Sequence, residues 1–388
     1  MNPIASEHGH FLKNQNKPKS YDRSAVGLCF SGGGYRATLF HAGAILRLNE
    51  FGLVHRATRI ASVSGGSITT GVLAMVWDKL EFDSHGIAPA ETMQEHFLRP
   101  ILQATSVNVD VKVGFKGLLP GFSAGNALAD AYDRNIFGSM RIRDVPETPR
   151  FIWCATNLQT GGLFRFERHA LRDWRALNST TKEIRLSQAV AASSAFPPFL
   201  SPLRLDLKAE DTTVPDYARF RDPALLRRPV LVDGGVYDNL GLEPIWKNCG
   251  VIYSSCAGSN SAARPSSLTL DHMVPVLYTF LDSSIDWRER VLVYLYRNTL
   301  QDNLPERAGA YWTMATDPQR FTAWNSGWKA GADILAAARA QPTRLRRFSR
   351  AEQMAAILSG YSYADASIRS YALIDAPPPA GPPVIPTL

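Results

Sequence analysis

Short apolar runs that stop abruptly at small residues, with helical patterns between them, constrain this chain more than any other feature. "AVGLCF" (25–30) leads into three glycines and the helical stretch "TLFHAGAILRLNEFG". "TRIASVS" (58–64) leads into Gly65-Gly66 and the helical "SITTGVLAMVWDKL". "RFIWCAT" (150–156), "PVLVDGG" (229–235) and "GVIYSSCAG" (250–258) are runs of the same kind, bounded by glycine or proline. Strands without a wet face, alternating with helices, predict an α/β fold of three layers: a mostly parallel sheet with helices on both faces.

Helical patterns dominate from about residue 265, in "HMVPVLYTFLDSSIDWRERVLVYLYRNTL", "GWKAGADILAAARA" and "DASIRSYALI". They predict a helical C-terminal extension over 265–375, appended to core motifs within 26–243. Residues 1–23 read as a flexible lead, 24–375 as one domain, and the Pro-rich 376–388, "APPPAGPPVIPTL", as an extended, disordered tail. The stretch 84–125 has weak periodicity and includes an apolar glycine-rich loop, "VGFKGLLPGFSAG" (113–125).

The net charge of +7 suits an anionic partner such as a phospholipid surface or a nucleic acid. The four cysteines have no C-x-x-C spacing, and Cys29, Cys154 and Cys256 fall in strand-like runs, where a thiol acts as a small hydrophobe. That pattern predicts a reducing, cytoplasmic setting. The polar N-terminus lacks the apolar core of a secretory signal. No apolar run reaches the roughly 18 to 20 residues of a membrane span.

Three motifs stand directly after strand-like runs, and strand ends are where ligands bind in an open α/β sheet. In "FSGGGYRAT" (30–38) the glycines leave bare N–H groups at a helix start, which suits an oxyanion hole with Gly33 and Gly34 as donors. Arg36 is placed to steady that loop or a phosphate. Gly32, Gly34 and Ala37 also fit a dinucleotide fingerprint, but the next strand ends in Ser62 and Ser64 without the acid that would hold a ribose. In "SVSGG" (62–66), Ser64 occupies the position of the nucleophile in a strand-to-helix elbow, with Ser62 in place of the usual first glycine. The following helix adds its dipole to the oxyanion site. The rival reading is a Ser/Gly turn in which Ser64 merely caps that helix.

In "VLVDGGVYDNLGLEP" (230–244), Asp233 is either a structural turn residue or the base for Ser64, with its pKa raised by burial. Asp238 is expected to be exposed on the loop. A Ser–Asp–His order would need a histidine after Asp233, and only His272 follows, with nothing local to mark it as catalytic. His41, His55, His96 and His169 read as solvated or packed. No metal-binding pattern such as H-E-x-x-H occurs, and no phosphate-binding G-x-x-x-x-G-K-[ST] loop.

Taken in order, "SGGGYRA" (31–37), "SVSGGS" (62–67) and "DGG" (233–235) closely resemble the patatin-like phospholipases. "CATNLQTGGLFRF" (154–166) and "AVAASSAFPPFLSP" (189–202) are similar to that family as well, so the resemblance runs from about Val26 to Glu243. It implies a Ser–Asp dyad without histidine: Ser64 as nucleophile, Asp233 as base, and the amides of Gly32, Gly33 and Gly34 as the oxyanion hole. Gly65, Gly66, Gly234 and Gly235 would support the site. It also implies hydrolysis of phospholipid or lysophospholipid acyl esters at a membrane surface, with no metal or cofactor and no nucleic acid partner. A lipid-holding regulatory module and a dinucleotide-dependent oxidoreductase are the alternatives. Gating through the C-terminal helices, by a small-molecule activator or by homo-oligomerisation, is a further expectation.

Overall fold

The structure is a computed structural model that describes residues 21–109, 123–258, 273–300, 304–372 and 376–387. The expected lead before residue 21, most of the glycine-rich loop at 113–125, and His272 lie outside the described residues.

The strands are β1 (Asp22–Phe30), β2 (Ala57–Ser62), β3 (Arg150–Asn157), β4 (Gly162–Phe166), β5 (Leu171–Asp173), β6 (Leu177–Ser179), β7 (Leu203–Arg204), β8 (Thr212–Thr213), β9 (Val230–Asp233), β10 (Cys249–Cys256) and β11 (Ala308–Thr313). The helices that matter for the site are α1 (Gly34–Glu50), α2 (Gly65–Val76), α3 (Leu186–Ser193), α4 (Met273–Arg297) and α5 (Arg350–Tyr371). The strands make one mixed sheet in the order β11-β10-β1-β2-β3-β4-β5-β6-β8, with β9 joined to β3 and β7. β11, β10, β1, β2 and β3 are all parallel. Beyond β3 every pairing is antiparallel.

Alternate residues of the central strands enter two separate cores, as the period of two requires. Leu28, Phe30, Ile60, Phe151 and Trp153 face the larger core, shared with α1, α2 and α5. Cys29, Ala61, Ile152, Cys154 and Ile252 face the smaller one, closed by Leu240, Leu242 and Ile245 and by Ile285 and Leu292 of α4. The sheet is therefore covered on both faces, in the predicted three-layer α/β/α arrangement. All four cysteines are buried and free.

Two expectations change. β9 was read as one more parallel strand, yet it runs antiparallel to β3, with Ala155 opposite Asp233. The other long edge of β3 is taken by β4 over 153–157, so β2 and β9 share one edge of β3. β2 ends opposite Trp153 and β9 arrives from the far side to end opposite Ala155, head-on to it. The second change concerns the C-terminal helices, which are not appendages. α5 starts at Arg350, earlier than the pattern suggests, behind a Ser349–Glu352 capping box. It is buried almost all round from Gln353 to Ile368, which erases the one-sided stripe that marks a surface helix.

α5 crosses α1 at backbone contact. A Cβ on Gly43 would lie 1.9 Å from the carbonyl oxygen of Ile357, and one on Gly360 would lie 1.8 Å from that of Phe40. Near this crossing Arg47 donates to Asp365 at 2.9 Å and to the carbonyl of Pro377 at 2.9 Å. The proline-rich tail is extended but held to the body rather than loose: Trp328 N–H donates to Pro379 at 2.8 Å and Arg350 to Pro386 at 2.6 Å. No described helix is long and apolar enough to cross a membrane.

Gly360→Val tests the crossing. Side-chain atoms forced against a backbone should cost about 3 kcal/mol or more of unfolding free energy in urea titration. A loss below about 0.5 kcal/mol, the usual size for a surface change, would mean that the two helices separate freely.

Candidate active site

The elbow after β2 is strained. Ser64 has φ 50° and ψ −118°, a conformation that costs a residue with a side chain on the order of 1–3 kcal/mol and needs surroundings that enforce it. Val63 N–H donates to Phe30 at 3.0 Å, Gly66 N–H to Val63 at 2.9 Å, and Ser64 N–H to the Ser193 hydroxyl at 3.0 Å. The turn presses against the start of α1, so side chains have no room: a Cβ on Gly65 would sit 2.0 Å from the carbonyl oxygen of Gly34, and one on Gly66 2.5 Å from that of Phe30.

Ser64 stands at the N-cap of α2, but its side chain makes no capping hydrogen bond. The Asp233 carboxyl lies beside it instead, near enough for the Ser64 hydroxyl to draw the Asp233 pKa down. Asp233 is 3 % exposed, and its Oδ1 accepts from Gly235 N–H at 2.8 Å. Burial pushes its carboxyl up to about 6, against the pull of the hydrogen bonds from Gly235 and Ser64. Gly234 permits the close packing of β9 on β3, since a Cβ there would lie 2.2 Å from the carbonyl oxygen of Cys154.

Ser64 and Asp233 open onto a cavity of about 500 Å³, together with Gly33, Gly34, Ser194 and Asn239. Its apolar wall includes Phe196, Phe199, Leu200, Tyr278, Leu281 and Leu345. Gly33 and Gly34 have φ of 138° and 60°, and no described residue accepts from their amides. Gly32 is different: its N–H donates to the carbonyl of Asn239 at 3.1 Å and it does not line the cavity. The expected trio of glycine donors is thus reduced to two. Arg36 is fully buried behind the loop, donating to Ala257 at 2.7 Å and Gln341 at 3.1 Å. It fastens the loop to the end of β10 and is turned away from the cavity, so a phosphate role has no support.

No described histidine lines the cavity. His41 is buried behind β1, between the Ser255 hydroxyl and the Ser31 carbonyl at 2.9 Å each, and burial lowers its pKa to about 3. Asp238, expected on an exposed loop, is fully buried: it accepts from Glu243 N–H at 2.8 Å and pairs with Arg288 of α4 at 2.8 Å. Its place in the chain, after Gly234-Gly235, says loop; its four-residue helical turn folds it inward beneath α4.

Residues outside the three motifs hold the elbow. Ser193, at the end of α3, accepts from Ser64 N–H, donates to the Cys154 carbonyl at 2.6 Å and meets the Ser67 hydroxyl at 2.8 Å. Ser67 donates to Ser62 at 3.1 Å, and Ser62 meets Thr70 at 2.7 Å. Ser62, the departure from the usual glycine, is thus one rung of a buried hydroxyl ladder. Its only sequence signal is the paired serines of "AVAASSAFPP".

A family model described as Patatin-like phospholipase matches residues 28–246. A search of curated proteins finds no match. Among solved structures, the chain is similar to human GIVD cytosolic phospholipase A2, with a TM-score of 0.50 and 13% identity, covering 89% of this chain and 59% of that one. The same protein in complex with methyl gamma-linolenyl fluorophosphonate gives 0.51 at 13% identity, covering 89% of this chain and 58% of that one. The chain spans less than two thirds of these proteins, and at this identity the likeness is one of fold.

Ser193→Ala removes one hydroxyl from three partners, one of them the strained Ser64 amide. It should lower stability by about 1–3 kcal/mol in urea titration, and no change would show that the elbow does not depend on Ser193. For Asp233, a carboxyl ordinarily near 3.8 and held at about 6, the folded chain keeps the proton to higher pH than the unfolded chain does. Its contribution therefore favours folding below the lower value and is lost as pH rises through the upper one. Asp233→Asn should accordingly raise stability at pH 7 by on the order of 2 kcal/mol. Equal stability at pH 7 and an unchanged difference at pH 4 would contradict that.

Proposed function

Because the chain belongs to the patatin-like phospholipase family, we propose that it hydrolyses fatty-acyl esters of phospholipids or lysophospholipids through Ser64 and Asp233. One observation carries this reading: Ser64 and the buried Asp233 carboxyl open onto one cavity that Gly33 and Gly34 also line, with the Ser64 hydroxyl near enough to draw the Asp233 pKa down.

The chemistry follows from the surroundings. A carboxylate with an ordinary pKa is a weak base for a hydroxyl, whereas one near 6 is still ionised at neutral pH and accepts a proton more readily. Asp233 takes the proton as the Ser64 oxygen bonds to the ester carbonyl carbon. The carbonyl oxygen becomes an oxyanion, and the amides of Gly33 and Gly34 at the start of α1 stabilise it. Collapse breaks the ester bond; the leaving alcohol receives the proton from Asp233, and the acyl group stays on Ser64. Water then gives its proton to Asp233 and attacks the acyl-enzyme; as the acyl–serine bond breaks, Asp233 returns that proton to the Ser64 oxygen and the fatty acid is released. The apolar wall of Phe196, Phe199 and Leu200 suits the acyl chain. Four free, buried thiols agree with action in a reducing compartment such as the cytoplasm.

Ser64→Ala and Asp233→Asn should each lower fatty-acid release from mixed phospholipids by roughly 10³-fold or more. A fluorophosphonate should label the native chain and not Ser64→Ala. Full activity in either variant sinks the dyad. For the native chain, kcat/KM should climb about tenfold per pH unit up to about 6 and then level off, as the free base ionises. A flat profile from pH 4 to 8 would exclude Asp233 as the base.

A further inference from the structure

Helix α4 has two apolar faces, and the fold uses one. Ile285 and Leu292 are buried against the smaller core, Leu281 is buried on the same side, and Arg288 pins that side to Asp238. On the opposite side Phe280, Trp287 and Tyr294 recur every seven residues and are 64 %, 63 % and 63 % exposed, with Val276 one turn earlier at 45 %. Seven residues are almost two helical turns, so these side chains form one continuous stripe. Arg290 stacks on Trp287 at 5.7 Å, and Arg290 and Arg297 are exposed beside the stripe, with Asp286 the exposed acid on its flank.

The buried side of α4 faces the cavity. Tyr278, Leu281 and Asp282 of the same helix line it, and Tyr278 meets the Phe196 ring at 5.8 Å. Phe199, also in the cavity wall, is 59 % exposed.

We infer that the aromatic stripe of α4 docks the protein on an anionic phospholipid surface. The inference rests on the lipid-hydrolase reading for its choice of partner. Large exposed aromatics interleaved with arginine suit the boundary between headgroups and acyl chains, where rings sit at the interface and guanidinium groups meet phosphate. The net charge of +7 adds attraction to such a surface. A second copy of the chain fits less well. At the exposures above, four side chains offer roughly 500 Å², against about 800 Å² per partner for a standard interface.

The test uses the full chain carrying Ser64→Ala, so that binding is read without turnover, and vesicles of phosphatidylethanolamine with phosphatidylglycerol. Adding Phe280→Ser, Trp287→Ser and Tyr294→Ser should cut the vesicle-bound fraction in flotation at least tenfold. Arg290→Glu with Arg297→Glu should weaken binding to these vesicles and leave that to pure phosphatidylcholine unchanged. On the active chain, the triple variant should hydrolyse a soluble short-chain nitrophenyl ester at the native rate and vesicle phospholipid at least tenfold more slowly. Native thermal unfolding of the triple variant confirms its fold. Flotation unaffected by the triple variant overturns the inference. So does a dimer, seen in sedimentation velocity, that the triple variant abolishes while vesicle binding persists. If the native chain hydrolyses no ester yet needs the stripe to float, the docking face stands and the catalytic reading falls.

Discussion

The approach of the Ser64 hydroxyl to the Asp233 carboxylate depends on two strands meeting head-on along one edge of β3. β2 stops opposite Trp153, and β9, arriving antiparallel, stops opposite Ala155. That offset of two positions, with only Cys154 between, leaves the turn through Val63 to bring Ser64 level with Asp233. Had β9 been parallel, its C-terminal end would have pointed the same way as that of β2, and its carboxylate would have approached from beside the serine. The antiparallel entry instead aims Asp233 into the end of β2 and packs Gly234 on the backbone of Cys154.

Both residues are held at some expense in stability. Ser64 sits at a positive φ, and Asp233 is a nearly buried carboxyl with no cation beside it among the described residues, its Oδ1 held by the Gly235 N–H. The compensation lies around them. A ladder of hydroxyls runs from Thr70 through Ser62, Ser67 and Ser193 to the Cys154 carbonyl and fixes the elbow from below. Arg36 ties the glycine loop to the end of β10, and Tyr35 N–H donates to Arg344 at 3.0 Å, which brings the 342–345 segment to the cavity. The site is thus assembled from both ends of the chain, and the C-terminal helices belong to its frame through the crossing of α1 and α5.

Parts of this were legible early because their signals are local. The runs at 25–30, 58–64, 150–156 and 250–258 are apolar, short and stopped by small residues, and each became a parallel strand in the centre of the sheet. The antiparallel half was harder to see: β5, β6, β7 and β8 have two or three residues each, too few for alternation to register. Residues 93–98 form a π-helical turn that offsets the stripe of buried side chains on either side of it, which accounts for the weak periodicity there. α5 shows little one-sided pattern because packing surrounds it.

By itself, the sequence determined the α/β alternation, the glycines that let backbones touch, and the chemistry available at three strand ends, since these depend on side-chain size and hydrophobic period. Only the tertiary structure decided which way β9 runs, that Gly32 gives its amide to Asn239 while those of Gly33 and Gly34, which line the cavity, meet no described acceptor, and that Asp238 turns inward to Arg288. Strand direction and hydrogen-bond partners are set by contacts between segments fifty or more residues apart, and no local pattern of residues encodes them.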